Sequence, residues 1–394
     1  MKKYLYITFL FFSNLCLGQV NLVSNPSFEM IYSCPSGANQ LDSAIGWSTL
    51  KNGGGGNPEL FNSCCTFPSI CGVPLNYNNS SFQYSHSGNS YVGIDAVNSW
   101  VPNGDREYIQ SKLNKGLSSG HTYCVKFYSS LSDQNLIYIT TLGAYLDNGN
   151  VYALTFLGLA IATPQVYNYV HPLNDTVNWM KIEGSFTAIG IETYITIGNF
   201  FPDSTSGIGF FGSPTNSWAY YYIDDVSVID ANLTPFAGND TLIQPGDSVF
   251  IGRQPEIGLD EDCIWFVNGL HIDTIAGIWV KPDSTTTYIL EQTICGNVSW
   301  DTVTVSVYGT GIGAYTMNGR GIMIYPNPAT NTINIESTTK FSQMLISDVL
   351  GNVRISQQVF NQAVTIDISG LTKGLYFIKL TTDDGIIVKK FLKE

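Results

Sequence analysis

The chain has 394 residues, a formal net charge of −13, and only 12% charged residues. That length predicts two or three domains, each burying its own core. The acidity argues against nucleic acid or an anionic membrane as partner, because both repel it. Aromatic residues make up 13% of the chain, alongside 38 Gly and many Asn, Ser and Thr. That composition favours short strands and turns, and no stretch carries helical apolar spacing or an internal repeat.

At the start, Lys2 and Lys3 precede an apolar run from Tyr4 to Phe12 and then Cys16-Leu17-Gly18. This is the pattern of a secretory signal peptide over residues 1–18, with cleavage before Gln19. Cys16 follows Leu15, whereas a lipid-acceptor Cys usually follows a small residue, so lipidation is not expected. No later segment has the ~20 apolar residues of a membrane helix, so no membrane span is expected.

Residues 19–231 read as the first and largest domain. It opens with Asn25-Pro26-Ser27-Phe28-Glu29 and closes with Tyr220 to Val228, which includes Ile223-Asp224-Asp225-Val226. Between them lie Gly46-Trp47, Gly88 to Gly93, Arg106 to Gln110, and Trp179 to Phe186, with strand-like runs every ten to fifteen residues. These motifs, in this order, resemble the galactose-binding-like jelly rolls, which include many carbohydrate-binding modules. The resemblance implies a β-sandwich whose opening and closing segments are neighbours. A cysteine-rich insert from Gly53 to Gly72 is a departure from that family.

The same resemblance implies a structural calcium held by Glu29, Asp224 and Asp225, since related jelly rolls place one there. Strand alternation would turn Asp224 inward with Val226 and Val228, where a carboxylate wants a cation or donors. The bland reading is that all three accept backbone hydrogen bonds without metal. A sugar-binding face is the second expectation, because aromatic rings stack on pyranose C–H faces. Tyr84, Trp100 and Trp218 are the candidate ligand-binding residues, with Tyr77 and Tyr169 in similar polar contexts and Asn79, Asn98 and Asn168 near some of them. Trp47 and Trp179 stand at family core positions and are expected to pack.

Residues 235–309 read as a second, smaller domain. Ser248 to Ile251 is a strand, and Trp265-Phe266-Val267 and Leu270-His271-Ile272 flank an Asn268-Gly269 hairpin turn. Thr285 to Leu290 and Thr302 to Val307 complete the pattern. Cys263 just before Trp265, with Cys295 later, resembles the immunoglobulin-like and polycystic-kidney-disease-like spacers of surface proteins. Standing alone in their region, Cys263 and Cys295 are expected to pair with each other. Cys34, Cys64, Cys65 and Cys71 lie in loops and have the makings of two bridges, whose connectivity stays open. Cys124 reads as a buried free thiol. Zinc is disfavoured, because the Cys64-Cys65-Cys71 spacing is no zinc ribbon and no His accompanies it.

Residues 310–322, rich in Gly, read as a linker. From Tyr325 the chain runs Tyr325-Pro326-Asn327-Pro328, then Asp348-Val349-Leu350-Gly351, Gly370 to Tyr376, and a Lys389-Lys390-Phe391 ending. Residues 323–394 resemble the C-terminal sorting domain of cargo for the type IX secretion system of Bacteroidetes. The resemblance implies export to the periplasm and then to the cell surface or medium, with that machinery as a partner.

Catalysis is not expected. None of the four His stands in a metalloprotease spacing, and there is no Gly-x-Ser-x-Gly elbow. No catalytic residue is named. Together these readings predict an all-β, secreted or surface, non-catalytic protein binding a polysaccharide or another surface polymer. The alternative is a structural or adhesive protein whose jelly roll contacts protein or matrix.

Overall fold

A computed structural model describes residues 20–308 and 322–394, apart from 52, 55, 67–69, 77–80, 99–103, 105, 154–157, 161, 213–217 and 383–384. The expected signal peptide, most of the expected linker, Tyr77, Asn79 and Trp100 therefore lie outside the described residues. The described chain is all-β and divides into two compact units. One comprises the described residues of 20–241, 248–281 and 285–306, and the other those of 242–247, 282–284, 307–308 and 322–394.

Alternation of side chains along short strands builds the first sandwich. One sheet runs Met180–Thr187, Thr122–Leu131, Trp218–Asp230, Ser90–Asn98, Glu59–Asn62, every pair antiparallel. The second runs Trp47–Ser48, Ile109–Lys112, Tyr194–Gly198, Gly143–Asp147, Val166–Tyr167. Val92, Ile94, Val125, Phe127, Tyr221 and Ile223 face inward and pack on Ile109, Ile195, Ile197 and Trp47. As expected, the opening segment lies beside the closing strand, with Leu22 N–H donating to the Val228 carbonyl at 2.9 Å. It is an irregular segment rather than a strand. Asn25 shapes it, its amide donating to the Met30 and Ile45 carbonyls while Trp47 Nε1 donates to the Asn25 carbonyl.

The segment that follows the cysteine-rich insert, from Val73 to Gln83, covers the outward face of this sheet. Tyr91, Tyr222 and Phe61 point away from the core of the sandwich, yet all are fully buried. Val73, Asn76, Ser81 and Gln83 lie over them. Asn76 donates to Tyr91 Oη at 2.9 Å, Ser81 Oγ bonds Tyr222 Oη at 2.8 Å, and Tyr91 Oη donates to the Gln83 carbonyl. Disulfides Cys34–Cys64 and Cys65–Cys71 staple the insert itself, the first of them to the opening segment.

The second sandwich belongs to the same compact unit. Leu270–Asp273, Cys263–Val267, Thr286–Ile294 and Asn297–Val307 form an antiparallel sheet around Trp265, and Val249–Gly252 pairs with Gly277–Val280. Asn268 and Gly269 both take positive φ, the signature of the expected two-residue hairpin.

The expected Cys263–Cys295 bridge is not formed. Cys295 bonds Cys124 of the first sandwich, and Cys263 is a free, buried thiol. Register explains the difference. Cys263 is paired with Gln292, so Cys295 lies three residues further along the neighbouring strand. That is about 10 Å, beyond the reach of a disulfide. Cys295 and Gly296 form a second positive-φ hairpin turn, whose tip points the thiol outward. Cys124 is therefore a bridge partner rather than a free thiol. Burial pushes the Cys263 thiol up to about 12, which leaves it unreactive.

In the other unit, Ile322–Tyr325, Thr332–Asp348, Gly374–Thr382 and Gly385–Lys393 form a sheet, and Val353–Asp367 also pairs with Thr332–Asp348. Ile333, Ile335, Phe341, Met344, Ile346, Tyr376, Ile378 and Phe391 fill its core. The Tyr-Pro-Asn-Pro segment closes on the chain end: Asn327 Oδ1 accepts from Leu392 N–H, and Ala329 N–H donates to the Leu392 carbonyl. Asp348 organises the next turn, accepting from Leu350 and Asn352 N–H and from Arg354.

Candidate functional site

The outward face of the long-stranded sheet gathers most of the chemistry expected from the sequence. A β-bulge in the closing strand sets the stage. Pairing with Thr122–Leu131 jumps from Asp224↔Tyr128 to Ser227↔Lys126, and Asp225 takes φ 48°. Alternation would send Asp224 and Asp225 to opposite faces, but the bulge turns both toward one loop. Asp224 Oδ2 accepts from His86 N–H at 2.9 Å and Ser87 N–H at 3.3 Å. Asp225 meets His86 Nδ1 at 2.5 Å and accepts from Ser87 Oγ at 2.6 Å. Glu29 completes the set, accepting from Asn89 N–H at 2.6 Å. A Cβ at Gly88 would fall 2.4 Å from the Glu29 carboxylate, so only glycine fits there.

Glu29, Asp224 and Asp225 are thus brought to one loop, as the resemblance implied, but as a clamp on residues 86–89. Calcium needs six to eight oxygens free to turn toward it. Here the carboxylate oxygens face N–H and O–H donors, and the Gly88 carbonyl accepts from Ser85 Oγ. Asp224 Oδ1 accepts from Asp225 N–H. The side chains as placed do not fit a calcium shell. Burial and the neighbouring Asp225 push the Asp224 carboxyl well above the usual range.

The clamp fixes a strip of aromatic rings. Tyr84 is 62% exposed and meets Phe82, 44% exposed, edge to face at 5.2 Å. Trp179 Nε1 donates to the Tyr84 carbonyl at 3.0 Å, and its ring lies 6.0 Å from His86. His86 stacks on Tyr128 at 3.7 Å. Trp47 is core as expected; Trp179 also packs, but partly buried against the Phe61–Tyr91–Tyr222 cluster on the outward face, where its ring borders this strip. Phe82, His86 and Tyr128 were not foreseen. The available signal was the run Ser81-Phe82-Gln83-Tyr84-Ser85-His86, an alternation with large residues all on one side.

The strip ends against the second sandwich. Tyr128 Oη donates to Glu261 at 3.2 Å, and burial with the Glu261 charge pushes its hydroxyl far up. Beside it, Lys126, only 1% exposed, bonds Glu261 at 3.0 Å and Asp262 at 2.9 Å. Those carboxylates outweigh burial and raise the Lys126 pKa, so the ammonium is held charged. Burial in turn lifts Asp262 to about 6. Glu256 accepts from the Val20 and Asn21 amides, and Asn21 donates to the Ile257 carbonyl. The segment expected to be a spacer is therefore locked onto the jelly roll and forms one wall of the strip.

The remaining candidates lie elsewhere. Trp218, 46% exposed, begins the closing strand opposite Asn98, four residues before Tyr222. Tyr169 packs against Tyr167, rings tilted at 5.4 Å, at the edge of the other sheet, and the Asn168 amide donates to the Thr140 and His171 carbonyls.

Comparison with known proteins then bears on the C-terminal unit. Residues 323–394 match the family model of the secretion system C-terminal sorting domain. The sorting-domain match spans the Tyr-Pro-Asn-Pro motif, the Asp348 turn and the terminal strand, and it marks the chain for secretion or display at the cell surface. No curated protein matches the chain. Among solved structures, the CBM22-1 xylan-binding domain of Paenibacillus barcinonensis Xyn10C aligns at 14% identity over 52% of this chain and 91% of that one, with TM-score 0.28. The CBM22-1–GH10 modules of Clostridium thermocellum xylanase 10B, complexed with xylohexaose, align at 12% identity over 57% of this chain and 33% of that one, with TM-score 0.26. A chimeric titin Z1Z2 tandem aligns at 12% identity over 39% and 94%, with TM-score 0.16. Among the described residues, no helix is long and apolar enough to cross a membrane.

Proposed function

We propose that this chain is a secreted or surface-displayed, non-catalytic glycan-binding protein, and that the glycan stacks along the Phe82–Tyr84–Trp179 strip. The carrying observation is the strip itself. Tyr84 and Phe82 present large exposed ring area on a loop held by five donor contacts from His86, Ser87 and Asn89 to the three carboxylates. Rings fixed before binding lose little conformational freedom when a sugar stacks on them. The exposed amide of Asn178, just before Trp179, is of the kind that takes sugar hydroxyls.

A glycan array and affinity gels test the reading. Saturable binding to one sugar class, weakened about tenfold by Tyr84→Ala and again by Phe82→Ala, is the expected result, tenfold being about 1.4 kcal/mol. A blank array with retained adhesion to cells or matrix would point instead to a protein-binding adhesin. Export through a signal peptide and the periplasm to the type IX machinery is part of the same proposal. Deleting residues 323–394 should leave the protein in the periplasm.

A further inference from the structure

We propose that the strip selects its glycan by charge, taking uncharged polysaccharides and rejecting polyuronates and sulfated polymers. This rests on the glycan-binding reading above. The argument comes from where the charges of the first sandwich lie. Residues 20–230 hold six Lys and Arg against fifteen Asp and Glu, so the placement of the few cations decides what an anionic ligand would meet.

None of the six is left free beside the strip. Arg106 is fully buried and bonded to Asp203 at 2.6 Å. Lys126 is buried between Glu261 and Asp262. Lys112 ends a strand of the other sheet, paired in register with Tyr194, and Lys51, in a turn, lies 5.1 Å over that Tyr194 ring. Lys115 follows the same strand. Lys181, the sixth, is near Trp179 but bridges Glu183 at 2.7 Å.

Carboxylates, by contrast, border the strip on several sides. Asp133 is exposed and accepts from Ser81 Oγ, next to Phe82, at 2.5 Å. Asp175 accepts from Val177 and Asn178 N–H just before Trp179. Burial acts to raise its pKa, but those donors outweigh it and hold the carboxyl below the usual range, so it stays ionised. Glu261 closes the far end with its side chain 35% exposed. His86, the histidine of the strip, is paired with Asp225. A uronate or sulfate laid on Tyr84 would meet these carboxylates, while the six cations of the first sandwich are paired or lie with the other sheet.

The test is retention of the full chain in affinity gels containing xylan, mixed-linkage β-glucan, polygalacturonate or dextran sulfate, each at low and high ionic strength. Retention by a neutral polymer that salt leaves unchanged, with no retention by either polyanion at low salt, is the expected result. Asp133→Lys combined with Asp175→Lys should create polyanion retention that high salt removes. Retention of the unaltered protein by a polyanion at low salt would overturn the inference. So would a reversed-charge variant that still holds the neutral polymer yet gains no polyanion binding. Failure of every gel would instead overturn the glycan-binding reading, and the charge selection with it.

Discussion

The two halves of the sheet's outward face are both built over buried carboxylates, yet they are neutralised by different means. At the junction with the second sandwich, Asp262 and Glu261 share one buried ammonium, and the Cys124–Cys295 bond ties the partners covalently. At the loop, Asp224 and Asp225 are met by amides, a hydroxyl and an imidazole from residues 86 and 87. The first arrangement joins two sandwiches that must not separate. The second holds a short loop in one shape with many small, neutral contacts. The difference teaches that the junction should fail abruptly when one partner is removed, whereas the clamp should weaken by degrees.

The largest effect is expected at the disulfide. Cys124 and Cys295 are 171 residues apart, so replacing both by Ala removes a long loop constraint. The loss should be about 3–5 kcal/mol, read by urea denaturation. A second, earlier transition from the smaller sandwich would show that it melts away from the jelly roll. Next comes Lys126→Met, which leaves Asp262, only 8% exposed, without its cation. Breaking such a pair costs about 3–5 kcal/mol, and unchanged stability would sink the account of the junction.

A third effect depends on pH and comes from Glu59, at the far edge of the same sheet. It accepts from Tyr220 Oη at 2.5 Å, and burial together with Glu107 raises its pKa to about 8. The folded state therefore binds a proton more tightly than the unfolded chain between about pH 4.5 and 8, so stability falls as pH rises through that window. The size is on the order of a few kcal/mol. Glu59→Gln should flatten the slope, being near neutral at pH 5 and stabilising at pH 8. Equal melting points for variant and parent at both pH values would refute this.

How much of this was legible in the sequence differs between the halves. The sorting unit and the Asn268-Gly269 hairpin follow from local turn chemistry, which a linear pattern records directly. The convergence of Glu29, Asp224 and Asp225 was foreseen from the order of motifs, but the bulge at Asp225 was not. A single residue at positive φ reverses which face its neighbours serve, and nothing in Ile223-Asp224-Asp225-Val226 announces it. The junction was hidden for another reason. Lys126 sits in an ordinary alternating strand, and its burial depends on residues 135 and 136 positions later. The Cys295-Gly296 turn was the one local hint that this thiol faces outward.

The smallest expected effect bears most directly on the clamp. Asp224→Asn keeps an acceptor but cannot serve all three N–H groups of His86, Ser87 and Asp225, so it should cost about 1–3 kcal/mol. Glycan binding should weaken with it, since Tyr84 rides on that loop. If the donors already satisfy the carboxylates, removing calcium has nothing to release. Melting curves with and without a chelator should then coincide for the parent protein. A melting point that drops with chelator and returns with calcium would show that the carboxylates turn from these donors to a cation. In that case Asp224→Asn would lower the melting point in calcium and leave it little changed in chelator, the reverse of a clamp whose donors act alone.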